Sequence, residues 1–163
     1  MRILRNILFL SFSIIMLSSC NPIGEKLAEI SLEGDGIATV DNINLKKGDV
    51  ISIWTKVIEK DDSYTSKSGI RYNIECNGKS ILFDSLNVNI TEHVINSKKL
   101  DDSYIQSSSE KDSTVYYTMH QYETESKKFT APIDGKYSFD FKPKRNQGSS
   151  FQDTKLAVIL RKP

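Results

Sequence analysis

The sequence contains very few of the residues that build metal centres and disulfide frameworks. Its 163 residues include two cysteines, Cys20 and Cys76, and two histidines, His93 and His120. These four residues show no metal-ligand spacing, and two cysteines cannot form a disulfide framework. We therefore expect neither a metal nor a cofactor.

Catalytic motifs are missing as well. The chain has no Gly-x-Ser-x-Gly nucleophile elbow and no glycine-rich phosphate loop. Composition leaves a Ser-His-Asp triad open, but no local pattern points to one. The sequence predicts a protein that is not an enzyme.

The chain also lacks an excess of charge of either sign. Lysine and arginine number 22 against 21 aspartates and glutamates, a net charge of +1. A balanced charge creates no field that would attract nucleic acid. We therefore expect no nucleic-acid partner.

The amino terminus differs in kind from the rest. Arg2 and Arg5 precede an apolar stretch, residues 7–17, which only Ser11 and Ser13 interrupt. This stretch is well short of the roughly 20 residues that a membrane-spanning helix needs. A short positive segment followed by such a stretch is typical of a signal peptide.

The end of this segment carries a recognisable motif. Leu17-Ser18-Ser19-Cys20 resembles the lipobox of bacterial lipoproteins, with an aliphatic residue, two small residues and a cysteine. The resemblance implies cleavage before Cys20, lipid on its thiol and a location in the cell envelope, with membrane lipid as a partner. An ordinary secretory signal with a chance cysteine, or an uncleaved membrane helix, is the alternative.

The lipobox divides the chain into three parts. Residues 1–19 form the signal peptide, 20–26 the lipidated cysteine and a short tether, and 27–163 a single domain. In enteric bacteria an aspartate directly after the lipidated cysteine favours retention in the inner membrane. This chain has Asn21 there, which favours the outer membrane if the cell has one. The 144 residues after cleavage carry 20 basic and 21 acidic side chains, a net charge of −1. They are enough for one hydrophobic core.

The mature chain alternates apolar and polar residues with period two and shows no convincing helical period. Turn residues separate the alternating stretches, and Asn77-Gly78 is the strongest hairpin signal. We expect an all-β fold, an antiparallel β-sandwich of jelly-roll type with about nine short strands. These are residues 27–32, 37–40, 50–58, 70–76, 79–86, 88–94, 114–122, 136–141 and 156–160.

The alternation also predicts which side chains share a face. Trp54 takes the face opposite Ile51 and Ile53, and Cys76 is expected to be a small buried residue. The polar, serine-rich residues 96–112 are predicted to be a long loop. Further shared faces comprise Tyr137, Phe139 and Phe141; Tyr116, Thr118, His120 and Tyr122; and Val115, Tyr117 and Met119.

Two segments carry motifs that are found in extracellular β-sandwiches. Residues 129–141 contain Gly-x-Tyr-x-Phe-x-Phe, and residues 45–51 contain Lys-Gly-Asp followed by a predicted strand. These motifs resemble those of GOLD-type and pre-peptidase carboxy-terminal domains. Asp140 stands between the phenylalanines, and the cysteine common in the GOLD phrase is absent. The resemblance implies a β-sandwich that acts in interactions.

A repeated phrase supplies candidate ligand-binding residues. Asp-Asp-Ser-Tyr occurs at residues 61–64 and again at 101–104. In loops, such carboxylates can share a calcium ion, and Tyr64 and Tyr104 can stack on sugar rings. His120 is a third candidate because it shares a face with two tyrosines. Solvated turns and ordinary sheet surface are the alternative interpretations.

Anchor, sandwich and missing catalytic motifs together predict a non-enzymatic binding module in the cell envelope, with a protein or glycan partner. An inhibitor or immunity-type protein, an accessory subunit of an envelope complex and a carbohydrate-binding module are the alternatives.

Overall fold

The computed structural model describes residues 23–32, 34, 36–60, 69–88, 93–106, 112–144 and 154–163. These residues form nine strands and no helix, so none of them builds a helix that could cross a membrane. The strands are β1 (Glu25–Ser31), β2 (Ala38–Leu45), β3 (Val50–Lys60), β4 (Gly69–Cys76), β5 (Lys79–Asn87), β6 (Val94–Gln106), β7 (Ser113–Thr130), β8 (Gly135–Lys144) and β9 (Thr154–Lys162).

The strands lie in two antiparallel sheets. The five-stranded sheet has the order β1-β9-β3-β7-β6, and the four-stranded sheet has the order β2-β8-β4-β5. Apart from the edge strand β6, the orders β1-β9-β3-β7 and β2-β8-β4-β5 place early strands of the sequence next to late ones. This is the strand order of a jelly roll, which consists of two Greek keys. The predicted all-β, jelly-roll-like sandwich is confirmed.

The core lies between the two sheets and is built by the alternation of their strands. Tyr137, Phe139 and Phe141 of β8 are buried there, as predicted. The ring of Phe129 meets those of Tyr137 and Phe139 edge to face, with centroids 5.7 and 5.9 Å apart. Such aromatic contacts stabilise a core beyond the area they bury. Trp54 lies outside this core cluster, on the opposite face of β3.

Three tight turns lie at one end of the sandwich, which we call the turn end. They are residues 46–49, 77–78 and 131–134, and the first described residues lie at this end too, because Glu25 pairs with Lys162. Asn77 and Gly78 have φ angles of 51° and 76°, and positive φ at both central residues is the mark of a type I′ hairpin turn. The hairpin predicted from Asn-Gly is confirmed.

The loop predicted over residues 96–112 is wrong for most of its length. Val94–Gln106 is strand β6, which pairs antiparallel with β7 along the sheet edge. An edge strand with solvent on both faces needs no alternation of apolar and polar residues. The polar sequence of β6 therefore lacks the pattern by which a strand is recognised. β7 likewise runs on to Thr130, well beyond the predicted end at residue 122, and is not short.

Several sequence predictions fall partly or wholly outside the described residues. Cys20, Tyr64 and residues 61–62 are among them. The strand predicted at 88–94 also lies largely outside, since β5 ends at Asn87 and β6 begins at Val94. Cys76 is described, and it is a buried free cysteine in the core, as predicted.

A candidate binding groove

Polar side chains cover the middle of the outer face of the four-stranded sheet. Tyr72 of β4 and Phe141 of β8 pair with each other and point into the core. Their neighbours therefore point outward, and the register places Arg71 opposite Lys142 and Asn73 opposite Asp140. Two outward rows, one cationic and one of amide and carboxylate, thus lie next to each other.

Two exposed apolar side chains flank these rows. Phe83 of β5, opposite Asn73, is 71% exposed, and Ile37, just before β2, is 65% exposed. With Arg71, Asn73, Asp140 and Lys142 they line an open groove of about 370 Å³. This volume lies within the range of small-molecule sites. We call these six residues the groove.

Hydrogen bonds fix the amide and carboxylate row. The Thr39 hydroxyl donates to Asp140 Oδ1 at 2.7 Å, and Asn73 Nδ2 donates to Asp140 Oδ2 at 3.4 Å. Ser80 Oγ donates to Asn73 Oδ1 at 2.5 Å, and Asn73 Nδ2 also reaches Glu75 Oε1 at 3.1 Å. Because each carboxylate oxygen can accept a second hydrogen bond, this row presents oriented acceptors to a ligand.

The two side chains of the cationic row form no ion pair with any described residue. Arg71 and Lys142 are directly opposite each other, and neither side chain forms a hydrogen bond or an ion pair within the described part of the chain. Like charges directly opposite across two strands are destabilising. An anionic group bound between Arg71 and Lys142 would reduce this repulsion.

A second depression, about 350 Å³, lies on the outer face of the five-stranded sheet. Here Lys56 is already paired with Glu29 at 2.8 Å, and Lys26 reaches the same carboxylate at 2.9 Å. These lysines hold the pKa of Glu29 below its usual value. The charges of this depression are thus partly satisfied within the protein, unlike those of the groove.

Tyr104 lies on the outer face of the five-stranded sheet, near its edge. Its ring centroid is 6.0 Å from that of Tyr117, and Lys60 Nζ lies 5.4 and 4.3 Å from the two centroids. The Tyr117 hydroxyl donates to Asp102 Oδ2 at 3.0 Å. The backbone N–H of Ser103 and this hydroxyl hold the pKa of Asp102 below its usual value.

His120 lies on the inner face of the same sheet, opposite Glu59. Glu59 Oε1 accepts a hydrogen bond of 3.2 Å from the Tyr122 hydroxyl, and its buried Oε2 has no partner in the described residues. Burial raises the pKa of Glu59, against the opposing effects of Tyr122 and His120. Burial and the Glu59 charge also raise the pKa of Tyr122.

Of the predicted ligand-binding residues, Tyr104 and His120 are described, and the structure does not bring them together. Tyr104 and His120 lie on opposite faces of one sheet, and Tyr64 is outside the described residues. That Tyr64, Tyr104 or His120 binds a ligand by itself stays a prediction.

The acidic pair at 101–102 is split between the two faces of β6. Asp101 Oδ1 accepts from the Thr118 hydroxyl at 3.1 Å, and Asp102 accepts from Tyr117. Adjacent strand residues point to opposite faces, so these two carboxylates cannot share a calcium ion. The described residues contain no cluster of three or more histidine, cysteine, aspartate or glutamate side chains.

The far part of the β6–β7 hairpin extends past the other strands. β3 pairs with β7 only as far as Met119, and within the described residues 113–118 pair only with 101–106 of β6. We call these two segments the distal ribbon. Ile105 and Tyr116, 71% and 81% exposed, lie on one face of it. Exposed apolar patches of this kind often mark interaction sites.

Sequence reasoning missed the groove because it depends on cross-strand register. Arg71 and Lys142 are far apart in the chain and become neighbours only when β4 pairs with β8. Phe83 was the accessible signal, an aromatic at an outward position of a predicted strand.

Comparisons with known proteins give no relative: the chain matches no protein-family profile, no curated protein and no solved structure.

Proposed function

We propose that this protein is a lipid-anchored binding module of a bacterial cell envelope, without enzymatic activity of its own. The groove is the observation that carries the proposal, because it combines oriented acceptors, two cations without an ion pair among the described residues, and apolar side chains on one open face. The signal-peptide pattern and the lipobox at Cys20 support the location.

The position of the first described residues fits such an anchor. Gly24, with φ of 80°, lies directly against the backbone of Lys162 at the turn end. Two residues, Asn21 and Pro22, lie between Cys20 and Ile23, so the three steps of chain from Cys20 to Ile23 reach at most about 11 Å. A lipid on Cys20 would therefore hold the turn end beside the headgroups. The groove, on a lateral face, would remain open to the surrounding envelope.

The anchor is tested by replacing its thiol. Cys20→Ser should abolish incorporation of labelled fatty acid and leave the chain unprocessed or released from the membrane, because the thiol is the lipid acceptor. Cys76→Ser is the matched control and should keep both lipid and location. Labelled, membrane-bound and correctly cut Cys20→Ser protein would contradict the lipoprotein assignment.

A second candidate function is binding of a protein partner through the distal ribbon, as in an inhibitor or an accessory subunit. Its support is the exposure of Ile105 and Tyr116 on one face of a projecting hairpin. This candidate predicts a protein partner lost on Ile105→Ser/Tyr116→Ser and retained when the groove is altered.

A further inference from the structure

We infer that the groove binds a saccharide that carries a carboxylate, such as a uronic acid residue of an acidic glycan. This inference rests on the proposed function and names the ligand of its binding face. Each of three chemical features of such a sugar meets a different part of the groove.

The carboxylate meets the cationic row. Arg71 and Lys142 face each other across neighbouring strands, where their Cβ atoms are about 5 Å apart. Asp140, the carboxylate in the neighbouring row, accepts from the neutral side chains of Thr39 and Asn73 and forms no ion pair with either cation among the described residues. An anion between the two cations would relieve their repulsion, and the guanidinium can bind a carboxylate through two parallel hydrogen bonds.

The hydroxyls meet the neighbouring row. Asn73 and Asp140 lie two residues along β4 and β8 from the cations, about 7 Å away. This distance is comparable to the length of one pyranose ring with its substituents. A sugar whose carboxylate lies on the cations therefore brings ring hydroxyls within reach of the Asp140 and Asn73 oxygens.

The apolar face of the ring meets Phe83. This side chain is on β5, opposite Asn73, and stands clear of the sheet with most of its surface exposed. The C–H bonds of a pyranose pack on such an aromatic face and leave the equatorial hydroxyls at the rim. An acidic peptide would satisfy the cations but has no pyranose ring whose C–H face can pack on Phe83.

Three polymers separate these contributions. The lipidated full-length protein, in a non-ionic detergent, is titrated with polygalacturonate, with its methyl-esterified form and with polyglutamate. We expect saturable binding of polygalacturonate that weakens with added salt. The ester, which lacks the charge, and polyglutamate, which lacks the ring, should bind at least tenfold more weakly.

Matched variants locate the site. Arg71→Gln/Lys142→Gln and Phe83→Ala should each weaken polygalacturonate binding at least tenfold. Lys98→Gln/Lys99→Gln removes the same charge from exposed positions of β6, and Ile133→Ala removes an exposed apolar side chain from the turn end. Both controls should bind like the unaltered protein, and the circular dichroism spectra of all variants should match.

The inference is overturned if polyglutamate binds as tightly as polygalacturonate, if none of the three polymers binds, or if the groove and control variants lose affinity equally. The broader function is judged separately. Envelope material retained by the unaltered protein and lost with Arg71→Gln/Lys142→Gln would keep the binding module while rejecting the acidic sugar. Material retained equally by both proteins would reject the groove as its binding face.

Discussion

Single side chains in this protein show the conflict between stability and binding. Arg71 and Lys142 repel each other across the four-stranded sheet, whereas Glu123 and Arg161 on the other sheet form a buried ion pair of 2.9 Å. Asn96 supplies a further hydrogen bond to Glu123 at 2.9 Å. The protein thus pairs the charges of Glu123 and Arg161, although the buried Arg161 Nε has no partner among the described residues, and it leaves the exposed Arg71 and Lys142 without an ion pair. The ligand binding that we propose would account for the exposed pair.

Glu59 gives a prediction about pH at the same scale. Burial raises its pKa, so its ionisation is less favourable in the folded than in the unfolded chain. The stability that Glu59 contributes is present below its unfolded pKa of about 4.3 and is lost as pH rises through the higher folded value. Glu59→Gln removes this loss and keeps an oxygen that can accept from Tyr122.

We therefore expect Glu59→Gln to melt a few degrees higher than the unaltered protein at pH 7 and at nearly the same temperature at pH 4. Thermal unfolding followed by circular dichroism between pH 4 and pH 8 measures the difference. A variant whose stability deficit relative to the unaltered protein grows as pH rises from 4 to 7 would show that the ionised carboxylate is favourable.

At the scale of strands and turns, the β4–β5 hairpin and the start of β8 form one unit. Asn77 N–H donates to the Lys136 carbonyl at 2.9 Å, and Lys136 N–H donates to Asn77 Oδ1 at 3.1 Å. Gly135 directly precedes Lys136, and a Cβ at Gly135 would be 2.6 Å from Cys76 Sγ. The close approach of two strands therefore requires glycine at this position.

Gly135→Ala should consequently destabilise the fold by about 1–3 kcal/mol, the usual result of overpacking. Cys76→Ala removes the atom that the new methyl group meets, so it should recover part of this loss. Urea denaturation of the two single variants and the double variant gives the coupling energy. Strictly additive effects would show that the two positions do not compete for space.

The same elements show what sequence can predict. Local signals were sufficient for the β4–β5 hairpin, whose Asn-Gly turn needs positive φ, and for β8, whose aromatics alternate into the core. They failed for β6, because a solvent-exposed edge strand carries no alternation. The groove could not be predicted from the sequence, because its two rows of side chains depend on the long-range register between β4 and β8.

For the whole molecule, the proposed anchor and the proposed binding groove have to be compatible in space. A lipid at Cys20 would place the turn end at the membrane and leave the outer face of the four-stranded sheet at its side, open to the envelope. The distal ribbon would project from the opposite end, away from the lipid. The two candidate surfaces are therefore separate in space, and each can be probed without the other.

Photo-crosslinking in living cells decides whether the groove or the distal ribbon is the binding face. A photoreactive amino acid is placed at position 83 in the groove or at position 116 in the distal ribbon of the anchored full-length protein. We predict a glycan adduct at position 83 that disappears with Arg71→Gln/Lys142→Gln and no glycan adduct at position 116. Specific adducts at position 116 together with none at position 83 would contradict the claim that the groove is the binding face.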